Sequence, residues 1–282
     1  MPNDRDIDAP VSLGGLFGPD SDEDESEPNV FVNDSEEQSI LVVGKKLKVR
    51  QFCFHTHNAN RVWPGTFNLC EYYMEAGNGG VLSDLQGKDD DSWVLELGTA
   101  TGLLAVRLMM EGVVNLVTSD VDDGGEVSKN VNYNFLLNDF EEKDVPSHVQ
   151  HTWGTGWPTV TDEPSPSKPT SRPQVPLPRH FSHILASDIL LYVSAYPALV
   201  STLQELMPYP PPKAFADKAK VQKLVMSWNR RMPESQEFFE RAKLGGFDCK
   251  HEGKCVFTFV RTSKGVEEGD VTSASAAAVE GV

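Results

Sequence analysis

Residues 93–102 read WVLELGTATG, and the fold turns on how this stretch is read. Trp93, Val94, Leu95 and Leu97 make a short apolar run that ends at a glycine, which predicts a buried strand. Gly98 and Gly102 bracket a tight turn, and residues 103–111 keep helical spacing up to Gly112. Residues 115–119 predict a second strand, which runs into Asp120. Small residues in such a turn let the backbone approach a ligand, and a carboxylate after the second strand can accept both hydroxyls of a ribose. The unit therefore predicts a site for a ribose-bearing cofactor.

Working outward, the alternation continues. A helix is expected over 125–137, strands over 148–153 and 181–187, and a helix near 197–206. A strand over 223–228, a helix over 234–243 and an antiparallel pair over 247–251 and 255–261 complete the series. Upstream, residues 40–52 alternate about a turn at Gly44 and predict a hairpin, followed by a helix over 67–76 and a polar loop over 77–91. The sum is an α/β fold: a Rossmann-like, doubly wound, seven-stranded sheet, mostly parallel with the last strand antiparallel, preceded by an N-terminal β-hairpin and helix. Two proline-rich stretches, about 158–178 and 208–220, are too long and polar for ordinary connections and are expected as insertions.

The net charge of −17 is unevenly spread. Residues 1–40 hold twelve acids against the single base Arg5, so this segment supplies −11 and the remainder is only mildly acidic. The expected organisation is a disordered acidic tail over 1–38, one domain over 39–262 and a second disordered tail over 263–282. No basic patch is present, and an acidic protein is repelled by phosphate backbones, so nucleic acid is not an expected partner. Cys53, Cys70, Cys249 and Cys255 show no CxxC spacing and suit reduced thiols. No stretch approaches the ~20 apolar residues of a membrane span, and no charged-then-apolar leader opens the sequence. A cytoplasmic monomer is the expectation, with a nuclear setting left open. His55 and His57 lack a third ligand nearby in sequence, so no metal site is assigned.

The turn itself separates two cofactor classes. A dinucleotide dehydrogenase uses GxGxxG to seat a pyrophosphate on the helix N-terminus. Here the spacing is Gly98-xxx-Gly102, with Glu96 ahead of the first glycine. This E-x-G-x-x-x-G turn resembles motif I of class I methyltransferases, whose ligand has no phosphate. Other segments carry the same resemblance: Val62-Trp63-Pro64-Gly65, Ser119-Asp120, Lys129-Asn130-Val131 with Asn134, Trp153-Gly154, and Ala186-Ser187-Asp188-Ile189. From about Val62 to Arg261 the sequence is similar to the seven-β-strand methyltransferases that include the METTL21-type protein-lysine enzymes and the fungal nicotinamide N-methyltransferase-like proteins.

The resemblance implies S-adenosyl-L-methionine as cofactor and S-adenosyl-L-homocysteine as product. It assigns cofactor binding to Trp63, Glu96, Gly98, Thr99, Gly102, Asp120, Trp153 and Ser187. It implies a lysine side chain of a protein substrate as acceptor, with a basic segment favoured by the acidic body. A small-molecule N-methyltransferase and a non-catalytic interaction protein of the same fold stay open as alternatives. At a pKa of ~10.4 only about one lysine in 2,500 is neutral at pH 7, so the acceptor site must orient and desolvate the amine. Asp188 is the candidate for orienting it and Tyr192 for the pocket wall. Relatives carry D-x-x-Y after the fourth strand, whereas here Leu191 holds that position and Tyr192 is displaced by one. Ala100 stands where many relatives have glycine. Asn130 and Asn134 read as helix-surface or capping groups.

Overall fold

The structure, a computed structural model, describes residues 35–75, 81–86, 92–121, 123–158, 176–208, 221–229 and 232–262. The acidic segment before 35, most of both proline-rich stretches and the segment after 262 lie outside the described residues, so the expectations placed there are not addressed.

The chain opens with a hairpin, β1 (Ser35–Val42) and β2 (Lys45–Phe52). Val43 (φ 41°) and Gly44 (φ 75°) both take left-handed backbone angles, the conformation a two-residue hairpin turn requires. β1 starts at Ser35, four residues before the expected domain start, although Ser35, Glu36, Glu37 and Gln38 offer no apolar alternation. Backbone pairing from Ser35↔Phe52 to Val42↔Lys45 holds them. α1 (Pro64–Met74) and the short α2 (Leu82–Leu85) follow, the latter inside the stretch expected as loop.

Then β3 (Trp93–Leu97), α3 (Leu103–Met109), β4 (Leu116–Asp120), α4 (Glu126–Leu137) and β5 (Ser147–Gln150) form the first half of the winding. β6 (Phe181–Ser187), α5 (Tyr196–Leu206), β7 (Lys223–Ser227), α6 (Gln236–Leu244), β8 (Phe247–Gly253) and β9 (Val256–Arg261) form the second. The sheet order is β5-β4-β3-β6-β7-β9-β8. β3 to β7 pair in parallel, and β9 runs antiparallel to both β7 and β8. The last strand is thus inserted one place in from the edge, and β8 forms the rim.

Period-two alternation sorts the sheet into two faces. Val94, Leu185 and Val225 pack with α1, α3, α4 and the hairpin. Leu95, Leu97, Ile184, Ala186, Leu224 and Met226 pack with α5 and α6. Strand order reverses between β3 and β6: the chain after β3 moves one way along the sheet, and after β6 the other. The loops that leave these two strands diverge and open a crevice at their carboxyl ends.

The hairpin lies outside this sheet and is fixed to it by buried polar side chains. Asn130 and Asn134 on α4 and Asn138 at its C-cap follow one another at four-residue spacing. The Arg50 N–H donates to Asn134 Oδ1 (2.7 Å), and Asn134 Nδ2 donates to the carbonyls of Arg50 (3.2 Å) and Thr101 (2.9 Å). Arg50 Nε donates to Asn130 Oδ1 (2.8 Å), and Lys48 N to Asn138 Oδ1 (2.9 Å). On α3, the buried Arg107 donates to the carbonyls of Val42 and Val43 at the hairpin turn (3.2 Å each). Asn130 and Asn134 are fully buried. They are therefore neither surface groups nor caps, and they act as pseudo-strand partners for β2.

Asn134→Ala removes the side-chain partner of the Arg50 N–H and of the Thr101 carbonyl, while the Arg50 carbonyl keeps Asn130 Nδ2 (3.3 Å), and is expected to cost ~2–4 kcal/mol in urea unfolding. The neighbouring Lys129→Ala, at an exposed position, is expected to stay within ~0.5 kcal/mol. Equal effects would contradict the ladder.

Candidate active site

A cleft lies at the point where strand order reverses, the place at which open α/β sheets bind ligands. Its walls come from three places: the hairpin exit and Trp63, the ends of β3 and β4, and the ends of β5 and β6 with the residues just beyond.

The β3 end is built by steric necessity. Gly98 has φ 71°, and a Cβ there would fall 2.7 Å from Ile189 Cγ2. Gly102, also left-handed at φ 75°, precedes α3, and a Cβ on it would meet Val131 at 3.0 Å. Ala100 takes φ 50°, a conformation better suited to glycine. The turn is tied to β4 by Gly98 N–H and Thr99 N–H, both donating to the Ser119 carbonyl (2.8 and 3.0 Å).

Asp120 sits at the β4 end, half-buried, with its carboxylate on the cleft. Oδ2 accepts the Ala100 N–H (2.7 Å) and Oδ1 the Val121 N–H (2.8 Å). An ionised carboxylate offers about four acceptor sites, so two remain after these bonds on a residue that lines the cleft. Desolvation raises the Asp120 carboxyl above its usual range, opposed by these two N–H groups and by nearby His55.

Glu96 is not among the residues that line the cleft. It is 2% exposed, accepts the Thr99 hydroxyl (2.6 Å) and stiffens the turn from below. Thr99 and Gly102 likewise shape the turn without lining the cleft. Among the expected site residues, Trp63, Gly98, Asp120, Trp153, Ser187, Asp188 and Tyr192 are brought together as lining.

At the β6 end, Asp188 is buried and left-handed (φ 52°). Its N–H donates to Ser227 O (2.9 Å), and its Oδ2 accepts the Gly65 N–H (2.6 Å) from the first turn of α1. Gly65 allows this close approach, since a Cβ there would lie 3.0 Å from that oxygen and 3.1 Å from the Asp188 nitrogen, and Asp188 would have to give way. Ser187 Oγ lies 3.3 Å from Thr66 Oγ1 on the same helix. The displaced tyrosine still reaches the cleft: Leu191 and Tyr192 both line it, with Tyr192 43% exposed. Trp153 lies three residues beyond β5 rather than within the expected strand, in a turn where Gly154 N–H donates to Thr202 Oγ1 on α5 (2.9 Å).

The hairpin exit supplies residues the sequence did not single out: Asn58 and Ala59, together with His57, line the cleft. Their polar, aperiodic context carries no signal for a site. His55 Nε2 lies 3.0 Å from Asp123 Oδ2, and Glu126 is close enough to make a three-residue cluster of potential metal ligands. Asp123 is otherwise occupied, because its two oxygens accept Gly125 N–H and Val127 N–H (2.9 Å each). Against burial, which alone would raise it, those N–H groups and His55 hold the carboxyl below its usual range. The group acts as the N-terminal cap of α4, with His55 tying the hairpin exit to it.

With this geometry in place, known proteins can be compared. No family model matches the chain. It is 30% identical over 144 residues to the protein-lysine N-methyltransferase EFM3 of Chaetomium thermophilum, covering 51% of this chain and 39% of that protein. It is 25% identical over 173 residues to the EEF1A lysine methyltransferase 3 of Xenopus tropicalis, covering 61% of this chain and 63% of that protein. The chain thus spans less than two thirds of either relative. Among solved structures, the T. thermophilus 16S rRNA methyltransferase RsmC is similar at 14% identity and a TM-score of 0.46, over 81% of this chain and 50% of that one. The strand order and the sequence likeness together give the chain the seven-β-strand methyltransferase fold, and the likeness is to protein-lysine members.

Burial pushes the Glu96 carboxyl up to about 8 from 4.5, despite hydrogen bonds from Thr99 and Ala105. An unfolded chain ionises this group near 4.5 and the folded protein only near 8, so its contribution is complete below 4.5 and is lost as pH rises to about 8. The melting temperature of Glu96→Gln relative to wild type is therefore expected to improve steadily from about pH 5 to about pH 8. A pH-independent difference would contradict a buried, protonated Glu96.

Proposed function

We propose that the protein is an S-adenosyl-L-methionine-dependent methyltransferase acting on a lysine side chain of a protein substrate. The observation that carries this reading is the pairing of two carboxylates in one cleft at the strand-order reversal. Asp120 retains acceptor sites at the end of β4, and buried Asp188 stands just past the end of β6, with β3 between the two strands. Lysine as acceptor is supported by the two relatives, both lysine methyltransferases. Four free cysteines suit a reducing compartment, which supports a cytoplasmic setting. No helix among the described residues is long and apolar enough to cross a membrane.

The residues present fit the cofactor. Asp120 would hold the ribose hydroxyls through its open acceptor sites, while Gly98 and Ala100 keep the turn low enough for the ligand to approach. Trp63 and Trp153 would flank it with apolar ring surface. When bound, the cofactor supplies a methyl group on a sulfonium sulfur, open to in-line displacement without covalent help from the protein.

The chain's own work is then positioning and electrostatics. The carboxylate of Asp188 is fixed at the cleft floor by the Gly65 N–H and the positive end of α1. There it accepts an N–H of the incoming amine and aims the nitrogen lone pair away from itself. Tyr192, Leu191 and Trp63 exclude water from the amine, which lowers its proton affinity by disfavouring the charged form. The reaction forms an N–C bond as the C–S bond breaks, and the amine proton leaves to solvent or to Asp188.

The test is purified protein, methyl-labelled cofactor and a cell lysate. Label is expected in a protein band. Label only in small molecules would point to a small-molecule acceptor, and no label together with no calorimetric binding of S-adenosyl-L-homocysteine would overturn the reading. Asp120→Ala is expected to weaken S-adenosyl-L-homocysteine about a hundred-fold, the value of two hydrogen bonds to a charged group. Asp188→Asn retains a cap for Gly65 and is expected to lower kcat about ten- to a hundred-fold with cofactor affinity preserved.

A further inference from the structure

Three segments reach the cleft mouth, and one residue joins two of them. Asn58 lies in the hairpin-exit loop with left-handed backbone (φ 58°), its N–H donating to the His55 carbonyl (3.0 Å). From this fixed position it holds two aromatic residues of the lining. Its backbone carbonyl accepts the Trp63 indole N–H (2.9 Å), and its side-chain amide donates to the Tyr192 hydroxyl. Tyr192 follows β6 and Asn58 follows β2, so the second bond spans the cleft between segments 134 residues apart. Tyr192 is 43% exposed and Asp188 only 2%, which places the span at the mouth and the carboxylate at the floor.

The loop carrying Asn58 is itself held on the far side. His55, three residues earlier, is bonded to Asp123 beyond β4. Phe52 N–H donates to the Asn60 carbonyl (2.8 Å), and Val62 N–H to Gln51 Oε1 (2.6 Å). A rigid loop is what makes Asn58 able to fix a neighbour. Tyr192 otherwise belongs to an exposed segment whose sequence is displaced by one residue from its relatives, and nothing in that local sequence would hold its ring at the cleft.

We propose that Asn58 is a positioning residue for the acceptor: it fixes Tyr192 and Trp63 as the aromatic rim past which a side-chain amine reaches Asp188. The proposal rests on the methyltransferase reading above. Two substitutions remove the spanning bond from opposite ends. Asn58→Gly keeps the left-handed backbone and the carbonyl to Trp63 but deletes the amide, and Tyr192→Phe deletes only the hydroxyl.

The measurement is initial methyl incorporation into lysate protein, across a dilution series of lysate and at saturating labelled cofactor. Calorimetry with S-adenosyl-L-homocysteine is run on every variant. Each single variant is expected to raise the half-saturating lysate concentration about five-fold, the scale of one neutral hydrogen bond. The S-adenosyl-L-homocysteine affinity is expected to stay within about two-fold. The double variant is expected to be no worse than either single one, because both delete the same bond. Additive effects, unchanged half-saturation, or equal losses in cofactor affinity and acceptor saturation would overturn the assignment and leave Asn58 a purely structural residue. A wild-type protein that binds no S-adenosyl-L-homocysteine and labels nothing would instead overturn the methyltransferase reading, and this inference with it. The two failures are therefore separable.

Discussion

The Gly65 N–H donates to Asp188 Oδ2 across 2.6 Å and 123 residues of sequence, and the two halves of the site meet on that bond. Helix α1 begins with Trp63 as its N-cap, without a side-chain cap of its own. One of its orphaned donors is met by a carboxylate just past the end of β6. The same bond fixes the carboxylate. Asp188 occupies a backbone region that costs a non-glycine residue ~1–3 kcal/mol, and the surrounding contacts hold it there. Pro64 presets the helix start, and Gly65 removes the side chain that would block the approach. A motif that looks like a name tag in sequence, Trp-Pro-Gly, is a device for presenting one buried carboxylate.

The rest of the architecture serves this alignment. The hairpin stands off the main sheet, yet its exit carries Asn58, Ala59 and Trp63 into the cleft. It can place them only if it is rigid relative to α4 and α3. The asparagine ladder and Arg107 make it so, by giving buried backbone groups of β2 and the hairpin turn fixed partners. The opposite walls need no such bracing, because Gly98, Asp120 and Asp188 lie at the ends of central strands. Precision on that side comes from the parallel ladder, and on the hairpin side from hydrogen bonds between side chains and backbone.

How much of this was legible in sequence follows from where the information resides. β3, α3, β4 and β6 could be read because a buried strand shows as a local apolar run, and the cleft-lining residues Gly98, Asp120 and Asp188 follow directly from strand ends. The insertion of β9 between β7 and β8 could not be read, since local pattern reports neither partner nor order. Ser35–Gln38 escaped because an exposed strand held by backbone pairing leaves no alternation to see. Asn134 was read as a surface group because its partners on β2 lie 84 residues away. Asn58 gave no signal for the same reason: its value comes entirely from Tyr192 and Trp63 being brought to it by the fold.

The central claim is that the crevice between β3 and β6 is a methyl-donor site organised by Asp120 and Asp188. A crystal structure of the protein grown with S-adenosyl-L-homocysteine tests it most directly. The expected result is ligand density in that crevice, with the ribose on Asp120 and the sulfur end toward Asp188. Ligand density elsewhere on the molecule, or an empty crevice at saturating ligand, would contradict the account.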